Sequence, residues 1–243
     1  MKSIPKIEKF GENAFLLRWK GAIDPSLNDE IVRVDSMLYT LFSEIIVETV
    51  PSFLEIAVYV KPNLDIGTLI KQIDAAFLAE VDTVPMQEKF VYDIPVCYDK
   101  DFGLDLAEMA KVSGLSVKKW IQLHTEPLYR VYFIGFLPGF PYLGGLPEAL
   151  WFPRKKEPRQ LIEKGSVGIG GPQTGIYTMD SPGGWNILGR TPFYFFDVNE
   201  PKPTLLQAGD YVRFVSITKT QFKKISIQIK EGNYILKKEV CHD

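Results

Sequence analysis

Cysteine and histidine are scarce in this chain of 243 residues, with two of each. Cys97 and Cys241 are too few for a disulfide framework and read as two separate thiols in a reducing compartment. His124 and His242 show no zinc-type spacing, so no metal site is expected. Neither sign of charge dominates: 28 Lys and Arg stand against 30 Asp and Glu. That balance gives no general affinity for nucleic acid or for an anionic membrane. No apolar run is long enough to span a bilayer. The opening MKSIPKIEKFGENAFLL lacks the continuous apolar core of a signal peptide, so a cytoplasmic location is expected. Familiar fingerprints are missing as well. There is no GxxxxGK[ST] loop, and GSVGIGGPQTG fails GxGxxG at every register, with Pro172 breaking the helix that motif must start. No GxSxG elbow occurs. With His242 next to the end, His124 is the one imidazole left to serve as a base, and no serine is paired with it in sequence.

What is present divides into two grammars. Residues 1–90 alternate strand and helix patterns. NAFLLRW reads as a strand, and Asp24-Pro25 starts a helix with Leu27, Ile31, Val34, Leu38 and Leu41 on one stripe. EIIVETV and FLEIAVYV form a hairpin across Pro51-Ser52. Asp65 caps a second helix striped by Ile66, Leu69, Ile70, Ile73 and Phe77, and KFVYDIPVCY returns to strand. That β-α-β-β-α-β order is the split arrangement of ferredoxin-like domains. Two short helices follow, one opening at Asp105 with Glu108 as its capping-box partner, the other running from Ser116 to His124.

Residues 91–222 then change character. Twelve of the nineteen glycines lie between Gly135 and Gly189. Short β-rich pieces (YRVYFIGF, GSVGIG, TPFYFFDV, DYVRFVSI) alternate with turn signals, which argues for a closed β-barrel or a sandwich. The fold class expected is α+β. The basic, alternating tail over 223–243 reads as an edge hairpin turning at Gly232-Asn233. GFLPGFPYLGGLP, Gly135 to Pro147, is rich in Gly and Pro yet carries no charge, an unusual pairing for a loop.

Three glycine-rich stretches could bring backbone close to a ligand: that one, GSVGIGGPQTGIY, and SPGGWNILGRTP. Arg190 beside Gly189 fits a bidentate clamp on a carboxylate or phosphate, and equally a structural ion pair. Gln173 and Thr174 sit in a Gly-flanked turn and either read an amide or carboxylate or hold the turn. His124, near a helix C-terminus that would favour its protonated form, is an ordinary helix-end histidine or a general acid or base. Tyr142 and Trp185 suit a core or a substrate platform. PRKKEPRQ, Pro153 to Gln160, is a solvated basic face or meets an acidic partner or phosphate.

Taken together, LHTEPLYRVYFIGFLPGFPYLGGLP, PRKKEPRQLIEKGSVGIGGPQTGIY and SPGGWNILGRTPFYFFD resemble the family of B subunits of prokaryotic 5-oxoprolinase. This family was long labelled allophanate hydrolase subunit 1 and includes the sporulation kinase A inhibitor. GIGGPQTG departs modestly from the family's commoner form at Gly170 and Pro172, and the Gln173-Thr174-Gly175 core is intact. The resemblance implies an N-terminal α/β domain and a C-terminal cyclophilin-like barrel. It implies partners too. A homologous, cyclophilin-like C subunit and an A subunit join the B subunit, and together they open 5-oxoproline to glutamate with ATP, accompanied by Mg. On that reading His124 and Arg190 are the catalytic candidates, and Tyr142, Gln173, Thr174, Tyr177 and Trp185 the substrate-binding ones. The alternatives are a non-catalytic regulator docking on a histidine kinase, a subunit of a related amide- or urea-processing complex, and, on fold analogy alone, a prolyl isomerase.

Overall fold

The structure, a computed structural model, describes residues 4–80, 84, 85 and 87–241, so His242 lies outside the described residues. The chain divides into two units, Met1–Glu88 and Lys89–Asp243.

In the first unit, strands β1 (Lys6–Lys9), β2 (Ala14–Arg18), β3 (Ile46–Pro51) and β4 (Glu55–Val60) form one sheet in the order β1-β2-β4-β3. Every pairing is antiparallel. Helices α1 (Pro25–Phe42) and α2 (Ile66–Glu80) complete the unit. Asp24 caps α1 as its sequence implies, accepting from the N–H groups of Ser26 and Leu27 at 2.9 and 3.0 Å. Of the expected stripe, Leu27, Ile31, Val34 and Leu38 are buried, whereas Leu41 is exposed and Met37 takes its place in the core. The fourth strand of the sheet is not the one the sequence suggests. Lys6–Lys9 fills that edge, and its largely polar residues suit an edge with one wet face.

Phe90–Cys97 (β5) belongs to the second unit instead. It is buried along most of its length. It runs parallel to β13 (Tyr211–Ile217). β13 leads through β6 (Tyr129–Ile134), β7 (Pro141–Gly144), β10 (Gln173–Ile176) and β9 (Ser166–Gly170) to β12 (Asn186–Arg190). The pair Arg190–Cys97 closes β12 onto β5 and completes a seven-stranded barrel. The molecule is therefore α+β, a separate antiparallel sheet with helices followed by a closed barrel. Its core mixes aliphatic side chains, with Ile94, Val131, Leu143, Val167, Ile169 and Ile176 all inaccessible, and aromatic ones such as Tyr129 and Phe214. Beside it lie the ribbon β8 (Arg159–Ile162) with β11 (Ser181–Gly183), and helices α3 (Leu106–Ser113) and α4 (Val117–Thr125).

Three sequence expectations are corrected here. Pro141–Gly144, in the middle of the Gly/Pro-rich stretch, is a regular strand; Pro141 sits at its first residue, where proline is tolerated. TPFYFFDV is not a strand and makes only one isolated bridge, Phe196 to Thr204. The basic tail is not a hairpin. Lys219–Lys230 is a helix, α5, opened by a capping box in which Thr218 and Gln221 bond each other's backbone N–H. Ile225, Ile227 and Ile229 alternate like a strand. Yet Phe222, Ile225 and Ile229 are the half-buried ones, at helical spacing, and Ile227 is exposed. Gly232 and Asn233 end that helix, their N–H groups bonding the carbonyls of Ile229 and Gln228. The chain then adds a short strand, β14 (Lys238–Val240), to the outer side of β5. No described helix is long and apolar enough to cross a membrane.

Candidate functional site

The Gly/Pro-rich stretch builds one wall of a cleft. Between β6 and β7 the chain folds on its own backbone: Gly135 N–H bonds Phe140 O at 3.0 Å, and Phe140 N–H bonds Leu137 O at 3.0 Å. Gly139 has φ +74°, and a Cβ there would lie 3.1 Å from the Phe195 carbonyl oxygen, so only glycine fits. The turn drives Phe140 inward, where its ring stands edge-on to Tyr177 at 5.4 Å and to Trp185 at 5.5 Å. Tyr142 lies 5.1 Å from it, tilted. Such pairs contribute about 0.5–1.5 kcal/mol each beyond burial. Trp185 lies against a bare strand, since a Cβ on Gly170 would sit 2.6 Å from its indole nitrogen. These rings floor an open cleft of about 350 Å³, with Phe136, Arg154 and Lys155 also on its walls. Burial pushes the Tyr177 phenol up to about 12 and raises that of Tyr142, so both stay protonated at neutral pH and serve as donors, not bases.

The cationic rim is held by a buried carboxylate. Asp105 is expected from sequence to cap α3, but it makes no side-chain cap bond. Its carboxylate instead accepts both guanidinium N–H groups of Arg159 at 2.8 and 2.7 Å, Lys155 Nζ at 2.8 Å and the Ile187 N–H at 2.7 Å. Burial would raise its pKa. The hydrogen bonds from Arg159, Lys155 and Ile187 outweigh that and hold it below the usual carboxylate range. The Pro153–Arg159 segment is also stitched to the barrel by its backbone: Lys155 N–H bonds Gly184 O at 2.7 Å, and Asn186 Nδ2 bonds Pro153 O at 2.8 Å.

His124 and Thr174 meet elsewhere, inside the barrel. His124 is stacked on Phe214 with ring centroids 4.7 Å apart. Thr174 donates its one hydroxyl proton to Gly168 O at 3.0 Å, so it must accept from His124 Nε2 at 3.2 Å. That fixes the tautomer: Nε2 carries the proton and Nδ1 accepts from the Tyr98 hydroxyl at 2.8 Å. Burial pushes the imidazole down to about 3, so the helix C-terminus does not keep it charged, contrary to expectation. Desolvation outweighs the helix dipole, an effect of about 2 kcal/mol at most. His124 does not line the aromatic cleft.

Arg190 also lies away from that cleft. Its guanidinium pairs with Glu163 and donates from Nε to Lys164 O at 3.1 Å, the structural ion-pair alternative of the two open in sequence. It borders two smaller clefts, one shared with Lys164 and Phe193, the other with Phe102. Gln173, half-buried at the start of β10, is not on the aromatic cleft either. The structure thus gathers Tyr142, Tyr177 and Trp185 at one cleft and joins His124 to Thr174 in the core. Arg154, Lys155, Phe136 and Phe140 are not singled out as site residues by the sequence reading. The available signal is two prolines, Pro153 and Pro158, bracketing a basic run.

Residues 5–206 match the family model described as the carboxyltransferase domain, subdomain C and D. The chain is 36% identical over 227 residues to the 5-oxoprolinase B subunit of Bacillus subtilis (strain 168), covering 89% of this chain and 95% of that protein. The chain belongs to the family of 5-oxoprolinase B subunits. It is also 45% identical over 170 residues to the 5-oxoprolinase B subunit of Haemophilus influenzae, covering 70% of this chain and 79% of the relative. Among solved structures, TTHA0988 superposes with a TM-score of 0.72 at 35% identity, covering 84% of this chain; the chain spans 40% of that longer protein. Helix α5 and strand β14 lie beyond the part matched by the family model.

Proposed function

We propose that this chain is the B subunit of an ATP-dependent 5-oxoprolinase and that its aromatic cleft forms one wall of a composite site, completed by partner subunits. The observation that carries the reading is the identity of 36% and 45% to relatives named as 5-oxoprolinase B subunits. The open cleft is consistent with it: aromatic rings to hold a small apolar ring, and cations at the rim where negative charge develops. The cleft has no base of its own: its tyrosines stay protonated and its lysine is tied to Asp105. The chain is accordingly inactive alone.

Opening a lactam requires the carbonyl to be activated, and ATP bound by the complex supplies that activation. Mg accompanies the ATP bound by the complex. In this division of labour Tyr142, Tyr177 and Trp185 bind and orient the ring and exclude water. His124 and Thr174 act from behind, tying α4 to β10 and β9 and so fixing the barrel wall on which the cleft stands. Arg190 holds the neighbouring Glu163–Lys164 turn.

The test is reconstitution by omission. Candidate A and C subunits, co-expressed with this chain, are expected to release glutamate from 5-oxoproline only when ATP and all three chains are present. Turnover by the purified chain alone, or by the other two without it, contradicts the proposal.

A further inference from the structure

Arg154 is the one cation of the Arg154–Arg159 basic run that lies on the cleft wall without an ion pair among the described residues. Its neighbours on the segment are spoken for: Lys155 and Arg159 both bind Asp105. Arg154 lies over the face of Trp185, its guanidinium carbon 5.8 Å from the ring centroid, and its charge acts on the Tyr142 and Tyr177 phenols. Its position is nonetheless built. Pro153 O on one side is held by Asn186, and Lys155 N–H on the other by Gly184 O. The backbone on both sides of Arg154 is therefore fixed to Gly184 and Asn186, the two residues flanking Trp185, which leaves a planar fork of donors poised over an aromatic floor.

Among the described residues, none that lines this cleft is acidic, so nothing there repels an anion. A guanidinium so placed suits an oxyanion, carboxylate or phosphate, met by two parallel N–H bonds; for a small ring lying against Trp185 and Tyr142 the fitting oxyanion is a carboxylate. We infer that Arg154 is the carboxylate-recognising residue of the cleft and that the cleft selects small cyclic amides bearing a carboxylate next to the ring. The inference deepens the proposed 5-oxoprolinase reading, from which it takes the cyclic amide; the carboxylate rests on the geometry of Arg154.

The experiment compares 5-oxoproline with 5-oxoprolinamide, which keeps the lactam and replaces the carboxylate by a neutral amide. Saturation-transfer NMR on the full chain reads binding, and kcat and KM of the reconstituted complex read use. The wild-type chain is expected to bind the acid at least about ten-fold better than the amide. Arg154→Gln is expected to abolish that preference, raising KM for the acid about ten- to a hundred-fold. Arg154→Lys, which keeps the charge and loses the fork, is expected to fall between. No detectable binding of the acid to the wild-type chain, equal binding of acid and amide, or a preference that survives in Arg154→Gln overturns the inference. A wild-type complex that fails to turn over while the chain still shows an Arg154-dependent preference overturns the 5-oxoprolinase reading and leaves the carboxylate site standing.

Discussion

Lowering the pH from 7 to 5 should destabilise the barrel through one residue, His124. Its imidazole is held neutral in the core, with its pKa down from 6.5 to about 3. The sign follows from linkage. Below pH 6.5 the unfolded chain takes up a proton that the folded chain refuses until pH approaches 3. Stability is thus fully present above that window and is lost as pH falls through it. At about 1.4 kcal/mol per unit, the loss is about 2 kcal/mol by pH 5 and about 5 kcal/mol if the whole window is traversed. Stopping at pH 5 keeps the measurement above the range in which carboxylates dominate acid unfolding. Urea denaturation of the wild type and of His124→Gln, which removes the titrating group, should give a pH slope in the first and little in the second. Long-range 1H–15N spectra should show Nε2 protonated and Nδ1 bare, unchanged from pH 7 to 5. Assignment is simple with two histidines in the chain. A stability that is flat over this range in the wild type, a slope that survives in His124→Gln, or an imidazole titrating near its ordinary value would refute the reasoning.

Asp105→Asn should cost about 3 kcal/mol, because two cations lose a buried carboxylate. Thermal or urea unfolding measures this, and hydrogen exchange should rise at the Lys155 and Ile187 amides. Gly170→Ala should cost about 1–3 kcal/mol and shift the Trp185 ring, since the new methyl falls within 2.6 Å of the indole nitrogen. Intrinsic fluorescence and a crystal structure of the variant check it, and an undisturbed indole at unchanged stability would contradict it.

Much of the fold is legible in the sequence because its signals are local. Asp24-Pro25 and the three- and four-residue spacing of Leu27, Ile31, Val34 and Leu38 are properties of a few neighbouring turns. Strand partners are not. β5 follows α2 in the chain as the last ferredoxin strand would, and only its pairing with the distant β13 and β12 puts it in the barrel. Helix α5 reads as a strand because three isoleucines alternate, although Thr218 and Gln221 stand at capping-box spacing. At the candidate site, aromatic residues among glycines locate Tyr142, Tyr177 and Trp185. Arg154 is hidden in a run of four basic residues, since nothing local tells which of them will find an acid. Asp105 settles that from 50 and 54 residues away for Lys155 and Arg159. His124 and Arg190 draw notice for their chemistry, whereas burial and a Glu163 partner decide what each can do.

A Trp185 cleft that is a working wall of a shared site must lose turnover when its indole is removed. The direct measurement is kcat/KM for 5-oxoproline of the reconstituted complex carrying Trp185→Leu, which keeps an apolar side chain over Gly170. The expected result is a complex of unchanged mass whose kcat/KM falls about a hundred-fold. An assembled complex that turns over at the wild-type rate would contradict it.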